Sequence, residues 1–204
     1  ILPTGFNVIA PDLPGHGNNH VATPPTLKDY TDSIISYIKD LPNNVYLVGH
    51  SMAGMVISQV AERHPEKVKS LVYVAGYLPQ NGESLYDIAS HSPVTRFVKM
   101  MKVDIENNAF YFPAYAMKDF AYQQCSAAVF ERILPLFCDE PLSPFTTPVS
   151  LSSRFTTVPK VYIECLQDNA ISIDMQRQMQ KTTPCTIYTL DCDHSPFYSA
   201  PSAL

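Results

Sequence analysis

Ser51 sits in the run Gly49-His-Ser-Met-Ala53, a G-x-S-x-A arrangement with a further glycine at position 54. A serine hydroxyl is a poor nucleophile until a base takes its proton, so the run acquires chemical meaning only if a histidine and a carboxylate follow. Asp168 and His194 supply them, three residues beyond the run Val161–Cys165 and four beyond Cys185–Leu190, respectively. The combination points to a serine nucleophile, an imidazole base and a carboxylate that orients the base. Without those partners, the same serine would read as a cap on an ordinary helix.

The elements around these residues are the ones such chemistry needs. Val45-Tyr-Leu-Val48 is a buried-type strand that runs straight into the serine turn, and a helical pattern continues to about His64 before Pro65. Strand, tight turn and helix make the nucleophile elbow, in which strained backbone demands small flanking residues, and Ala53 is a mild departure from the usual glycine. The helix start leaves the Met52 N–H free to stabilise an oxyanion. Phe6–Ala10 reads as an earlier buried strand, followed by the turn-rich Asp12–Gly17. A helix is expected from Thr26 to about Leu41, a third strand over Val68–Ala75 and a helix from about Ser172 to Lys181, so strands and helices alternate as in a parallel sheet covered on both faces. Residues 78–158 lose the strand pattern and carry Tyr86, Phe97, Phe110, Tyr111, Phe112, Tyr115, Phe120, Tyr122, Phe130 and Phe137, which reads as an inserted helical cap between core segments 1–77 and 159–204.

The other histidines lack a strand end: His16 and His20 lie in a loop, His50 within the elbow, His64 at a helix end and His91 in the insertion. They read as surface or structural groups, with His50 and His16 also candidates for the mouth of the site. Asp191 and Asp193 compete with Asp168, but a carboxylate so close in sequence to His194 seldom reaches Nδ1 squarely. No H-E-x-x-H or comparable ligand spacing occurs, so no metal is expected, and Gly15 and Gly17 lack the lysine of a phosphate loop.

With 204 residues, 46% hydrophobic and 16% charged, the chain fits one globular domain with an insertion. A net charge of -5 and no basic run argue against nucleic acid. No apolar stretch approaches the roughly 20 residues of a membrane span. Five cysteines without a C-x-x-C pair fit free thiols in a reducing cytoplasm.

Taken together, Val8–Gly17, Val48–Met55, Ala75-Gly-Tyr-Leu-Pro79, Val161–Cys165 with Asp168, and Asp193-His194 resemble the α/β-hydrolase superfamily, specifically the plant hydroxynitrile lyase and methylesterase-like family with its bacterial esterase relatives. The resemblance implies an eight-stranded, mostly parallel sheet flanked by helices, a helical cap, no cofactor, and a triad on Ser51, Asp168 and His194. It also implies that Tyr77 lines the substrate pocket, although sheet-to-cap packing would serve a tyrosine there equally well. Two departures stand out. Family members begin with a strand and a His-Gly-type loop that supplies a second oxyanion donor, and this sequence starts beyond it, so N-terminal strands and part of the last helix are expected to be missing. Loss of one such donor costs on the order of a hundredfold to a thousandfold in rate. The second is Ser195-Pro196 after His194, where hydroxynitrile lyases of the family carry a lysine.

The expected activity is hydrolysis of a small, largely apolar carboxylic ester through an acyl-enzyme. A slow or non-catalytic ligand-binding receptor of the same fold and a hydroxynitrile lyase are the alternatives. The expected partners are the small-molecule ester and, as an open alternative, a second copy of the chain in a homodimer, with neither nucleic acid nor membrane.

Overall fold

Leu27, Tyr30, Ile35 and Ile38 recur at helical spacing, and they form the buried face of helix α1 (Leu27–Ile38). Its start is fixed by a capping box in which the Thr26 hydroxyl accepts from the Asp29 N–H while the Asp29 carboxylate accepts from the Thr26 N–H. Strands β1 (Val45–His50) and β2 (Val68–Val74) flank helix α2 (Ala53–Arg63). These, with the other elements below, come from a computed structural model that describes residues 5–91 and 99–204. Phe97, one of the aromatic residues expected in the insertion, lies outside the described residues.

Strands β6 (Lys160–Cys165) and β7 (Thr186–Leu190) complete a four-stranded parallel sheet in the order β1-β2-β6-β7. Parallel strands place all four C-terminal ends on one edge, and that edge is where Ser51, Asp168 and His194 emerge. Helices α1, α2 and α8 (Ile173–Thr182) bury one sheet face: Leu47, Leu71, Tyr73 and Tyr162 share a single apolar cluster with Met55, Val56, Val60, Met175 and Met179. The Tyr73 and Tyr162 rings stack across the β2–β6 pair at 6.2 Å.

The sheet has four strands among the described residues. Helices flank it, with Val48 63% exposed and Tyr188 60% exposed on the face opposite α1, α2 and α8. One expectation is corrected. Residues 6–10 form no strand: Phe6 leans edge-on against Tyr46, while Val8 and Ile9 stay exposed. A β-branched run becomes a strand only when its N–H and C=O groups find a paired neighbour, and none of the described strands pairs with this one.

The segment 78–158 holds helices α3 (Leu85–Ser90), α4 (Ala114–Phe120), α5 (Ala127–Ile133), α6 (Leu142–Thr146) and α7 (Ser153–Thr157). Helical character is therefore present, but a small antiparallel sheet of β3 (Lys102–Asp104), β4 (Ala109–Tyr111) and β5 (Glu140–Pro141) accompanies it. Strands of two or three residues are too short for alternation to show in the sequence. At its C-terminal end the segment docks on the core, where the Ser152 N–H and hydroxyl donate to the Glu62 carboxylate and Arg154 donates to the Glu62 and Arg63 carbonyls.

Gly54 shows how tightly α2 meets the sheet edge. A Cβ there would fall 2.1 Å from the Tyr77 carbonyl oxygen and 2.9 Å from the Tyr77 nitrogen, both backbone atoms with little freedom to retreat. Gly54→Ala is expected to destabilise the fold by about 1–3 kcal/mol, the usual range for overpacking, read as a lower urea midpoint with unchanged slope.

Candidate active site

The serine turn is built by contacts on every side. Ser51 has φ +52°, the left-handed region that a non-glycine residue occupies only under constraint. Its N–H donates to the Val74 carbonyl at 3.4 Å, and its own carbonyl accepts from Gly54 at 3.1 Å and Tyr77 at 3.0 Å. Gly49 is required by the same geometry, because a Cβ there would meet the Ala53 carbonyl oxygen at 2.8 Å and the Ile57 side chain at 2.9 Å. The turn hands the chain to α2 at Met52, whose N–H makes no hydrogen bond among the described residues and so stays available to an oxyanion beside Ser51.

Asp168 and His194 meet directly. His194 Nδ1 lies 2.7 Å from Asp168 Oδ2, and because an ionised carboxylate only accepts, Nδ1 carries the hydrogen and Nε2 is left as the basic nitrogen. The Asp168 side chain is fully buried, and its charge is satisfied by N–H donors: Ala170 at 2.7 Å and Ile171 at 2.8 Å on Oδ1, and the Gln176 amide at 3.3 Å on Oδ2. Gln176, itself fully buried on α8, also donates to the Cys165 and Ile171 carbonyls and accepts from the Cys165 N–H. It thereby locks the turn that carries Asp168.

The competing acids have other partners. Asp193 accepts from the Ser195 N–H and the Ser199 hydroxyl on one oxygen and from the Gln124 N–H of the insertion on the other. Asp191 accepts from the Gln167 amide.

His50 joins the serine turn to the base. Its Nε2–H donates to the His194 carbonyl at 2.7 Å, and its ring lies 4.6 Å from the His194 ring and 4.9 Å from the Phe197 ring, centroid to centroid. Part of the ring stays open to solvent, and burial by these neighbours and the strand, reinforced by repulsion from a charged His194, pushes its pKa down to about 3.

Ser51 Oγ itself makes no hydrogen bond among the described residues, so the structure brings the acid and base into contact and places the serine beside them through His50. Tyr77 is only 2% exposed and belongs to the central apolar cluster, and its visible role is the N–H that supports Ser51. Burial, with the nearby Asp168 charge adding to it, raises its hydroxyl pKa. His16 packs against Glu140 and Tyr30, with no triad residue among its hydrogen-bond partners within the described residues.

An aromatic chain links the insertion to this edge. Tyr122 packs against Phe130, Phe137 and Tyr198, and Tyr198 packs against Phe197, the ring that touches His50. A separate cavity of about 150 Å³, lined by Leu78, Ile88, Met175 and Met179 among others, has no triad residue in its wall.

Residues 2–204 match the alpha/beta hydrolase family, and the chain belongs to it. A putative chloroplastic methylesterase 14 of Arabidopsis thaliana is 29% identical over 217 residues, an alignment that covers 98% of this chain and 62% of that protein. The pyrethroid hydrolase of Sphingobium wenxiniae is 28% identical, with 98% and 75% covered. The crystal structure of a pyrethroid hydrolase from Sphingobium faniae superposes with a TM-score of 0.85 at 26% identity, over 98% of this chain and 83% of that one. The chain thus spans 62% of the length of the Arabidopsis relative. No helix among the described residues is long and apolar enough to cross a membrane.

Gln176→Leu removes a donor from Asp168 and strands the Cys165 and Ile171 backbone groups, so a loss of roughly 2–4 kcal/mol is expected in chemical denaturation. His50 predicts an acid limb of its own. Between its ordinary pKa of 6.5 and the folded value of about 3, the unfolded chain binds a proton that the folded chain refuses, so stability falls as pH drops through that window. His50→Asn is expected to flatten this slope in urea melts taken between pH 7 and pH values of about 4.

Proposed function

We propose that the protein hydrolyses a small, largely apolar carboxylic ester through Ser51, His194 and Asp168. The observation that carries this reading is the contact of His194 Nδ1 with the buried Asp168 carboxylate, on the same sheet edge as a serine in left-handed elbow geometry. In the forward step, Ser51 Oγ attacks the acyl carbon while His194 Nε2 accepts the serine proton and passes it to the departing alcohol oxygen. Asp168 stabilises the imidazolium formed in between. Water, deprotonated by the same nitrogen, then attacks the acyl-enzyme; the acid leaves and the serine regains its proton. The Met52 N–H stabilises the negative oxygen in both tetrahedral intermediates, aided by its place at the start of α2.

The rings of Tyr122, Phe130, Phe137, Phe197 and Tyr198 support an apolar or aromatic ester, held beneath residues 78–158 acting as a cap. Two relatives whose names denote a methylesterase and a hydrolase agree with the reaction class. A cyanohydrin-cleaving activity is disfavoured by Ser195 and Pro196, which follow His194 with no cation to hold a cyanide leaving group.

A serine-directed fluorophosphonate is expected to label the full-length protein at Ser51, and a series of p-nitrophenyl esters to be turned over. His194→Ala is expected to lower kcat by roughly a thousandfold or more with the circular dichroism spectrum unchanged, because triad members act as a unit. An unlabelled Ser51 with no turnover would overturn the proposal, and near-normal activity in His194→Ala would mean that another group is the base.

A further inference from the structure

A second constellation contains no triad residue. His16, Cys138 and Glu140 bring an imidazole nitrogen, a thiol sulfur and a carboxylate oxygen within 4.8 Å of one another. The geometry points to a site for a divalent ion of borderline softness, of the zinc class, that ties the loop after residue 10 to the inserted segment.

The residues reach this place from two distant parts of the chain, each independently fixed. His16 rides on a tight loop: its N–H donates to the Leu13 carbonyl, Gly15 N–H donates to Asn19, and the Asp12 carboxylate accepts from Asn18 N–H. Gly17, at φ +52°, lies so close to Asp12 that a Cβ would meet its carboxylate at 2.3 Å, which leaves the loop little freedom. Glu140 is held in β5, opposite Phe110, and the neighbouring Leu142 N–H donates to the Asn108 carbonyl. Cys138 precedes Glu140 by two residues in the segment that leads into that strand, and its sulfur lies within 4.8 Å of the other two donor atoms.

The imidazole is oriented as metal-binding imidazoles are. His16 Nδ1 lies 3.3 Å from the Pro14 carbonyl and 3.4 Å from the hydroxyl of the buried Tyr30, while Nε2 faces Glu140 Oε2 at 3.1 Å. Without a metal, Nε2–H donates to the Glu140 carboxylate; a metal ion displaces that proton, and with Nδ1–H given to the Pro14 carbonyl the Nε2 lone pair, the carboxylate oxygen and the neighbouring sulfur then ligate it together.

Chemistry and size narrow the ion. Zinc binds nitrogen, sulfur and oxygen donors at about 2.0–2.3 Å, which sets tetrahedral donor separations near roughly 3.5 Å, so the donor atoms, now within 4.8 Å of one another, need shifts of only about 1.3 Å or less. Cys138 is exposed and gives an entry path and room for a water as fourth ligand. The sulfur disfavours magnesium and calcium, which take oxygen donors. Binding releases the thiol proton and, since a folded-state site ties two separate segments, stabilises the folded chain.

The test is titration of the chelator-treated full chain with zinc chloride, followed by calorimetry and thermal melting, with magnesium chloride in parallel. One equivalent of zinc, a raised melting temperature and no response to magnesium are expected. Cys138→Ser and His16→Gln are each expected to weaken zinc binding on the order of tenfold or more. Cys185→Ser, a thiol elsewhere in the fold, should bind as the parent does. Cobalt(II) should show a thiolate-to-metal charge-transfer band that disappears in Cys138→Ser. Melting of each variant without metal establishes that it is folded, and His16→Gln stands in if Cys138→Ser is not. Absence of stoichiometric zinc binding would overturn the site, as would unchanged affinity in a folded Cys138→Ser or His16→Gln variant. Ester turnover plays no part in these readouts, so the proposal stands or falls separately from the triad.

Discussion

A carboxylate shielded from water cannot keep its charge unless nearby hydrogen-bond donors compensate for lost hydration, and much of the active edge is organised around meeting that demand for Asp168. The backbone turns sharply after β6 so that the N–H groups of Ala170 and Ile171 point at one oxygen. Helix α8 is placed so that Gln176 reaches the other oxygen while closing the same turn through Cys165 and Ile171. What remains of that oxygen's accepting capacity is directed at His194. Fixing the imidazole tautomer is thus a consequence of burying the acid.

The opposite end of the same edge is governed by sterics instead of charge. Ser51 adopts a left-handed backbone because its carbonyl must accept from both Gly54 and Tyr77 while its N–H reaches β2. That compression leaves no room for a Cβ at Gly49 or Gly54. The two constraints are mechanically joined by His50, whose ring donates to the His194 carbonyl and forms part of the floor under Phe197. A displacement of the serine turn therefore pulls on the backbone of the base.

Much of this was legible in the sequence because it follows from chain order. Serine, aspartate and histidine each come just after a strand-like run, and parallel strands bring such positions to one edge. Gly49 and Gly54 announced the tight turn. Gln176 was missed because a glutamine in Ile173-Asp-Met-Gln-Arg-Gln-Met-Gln reads as solvent-facing. A signal existed: Met175 and Met179 mark the buried face, and Gln176 and Gln180 lie beside them at helical spacing, which places polar amides on the core side. Residues 6–10 failed in the other direction, since apolar, β-branched composition describes what a segment could pair with and not whether a partner strand is present. The strands of the insertion were invisible because β5 is two residues long and is defined by its contacts with β4 alone.

Asp193 shows why a residue adjacent to a catalytic base need not act on it. Its two oxygens serve different segments, one accepting from Ser195 and Ser199, which lie just before and at the end of the short helix Pro196–Ser199, and the other from the Gln124 N–H in the insertion. Asn169, next to Asp168, reaches the insertion as well, donating to the Asp119 carbonyl at 3.1 Å. The loops carrying the acid and the base are therefore each tied to the same inserted segment, within a few residues of one another. Residues 119–124 thus bear on the neighbours of both acid and base, while the 2.7 Å contact between the two is held by groups of the core.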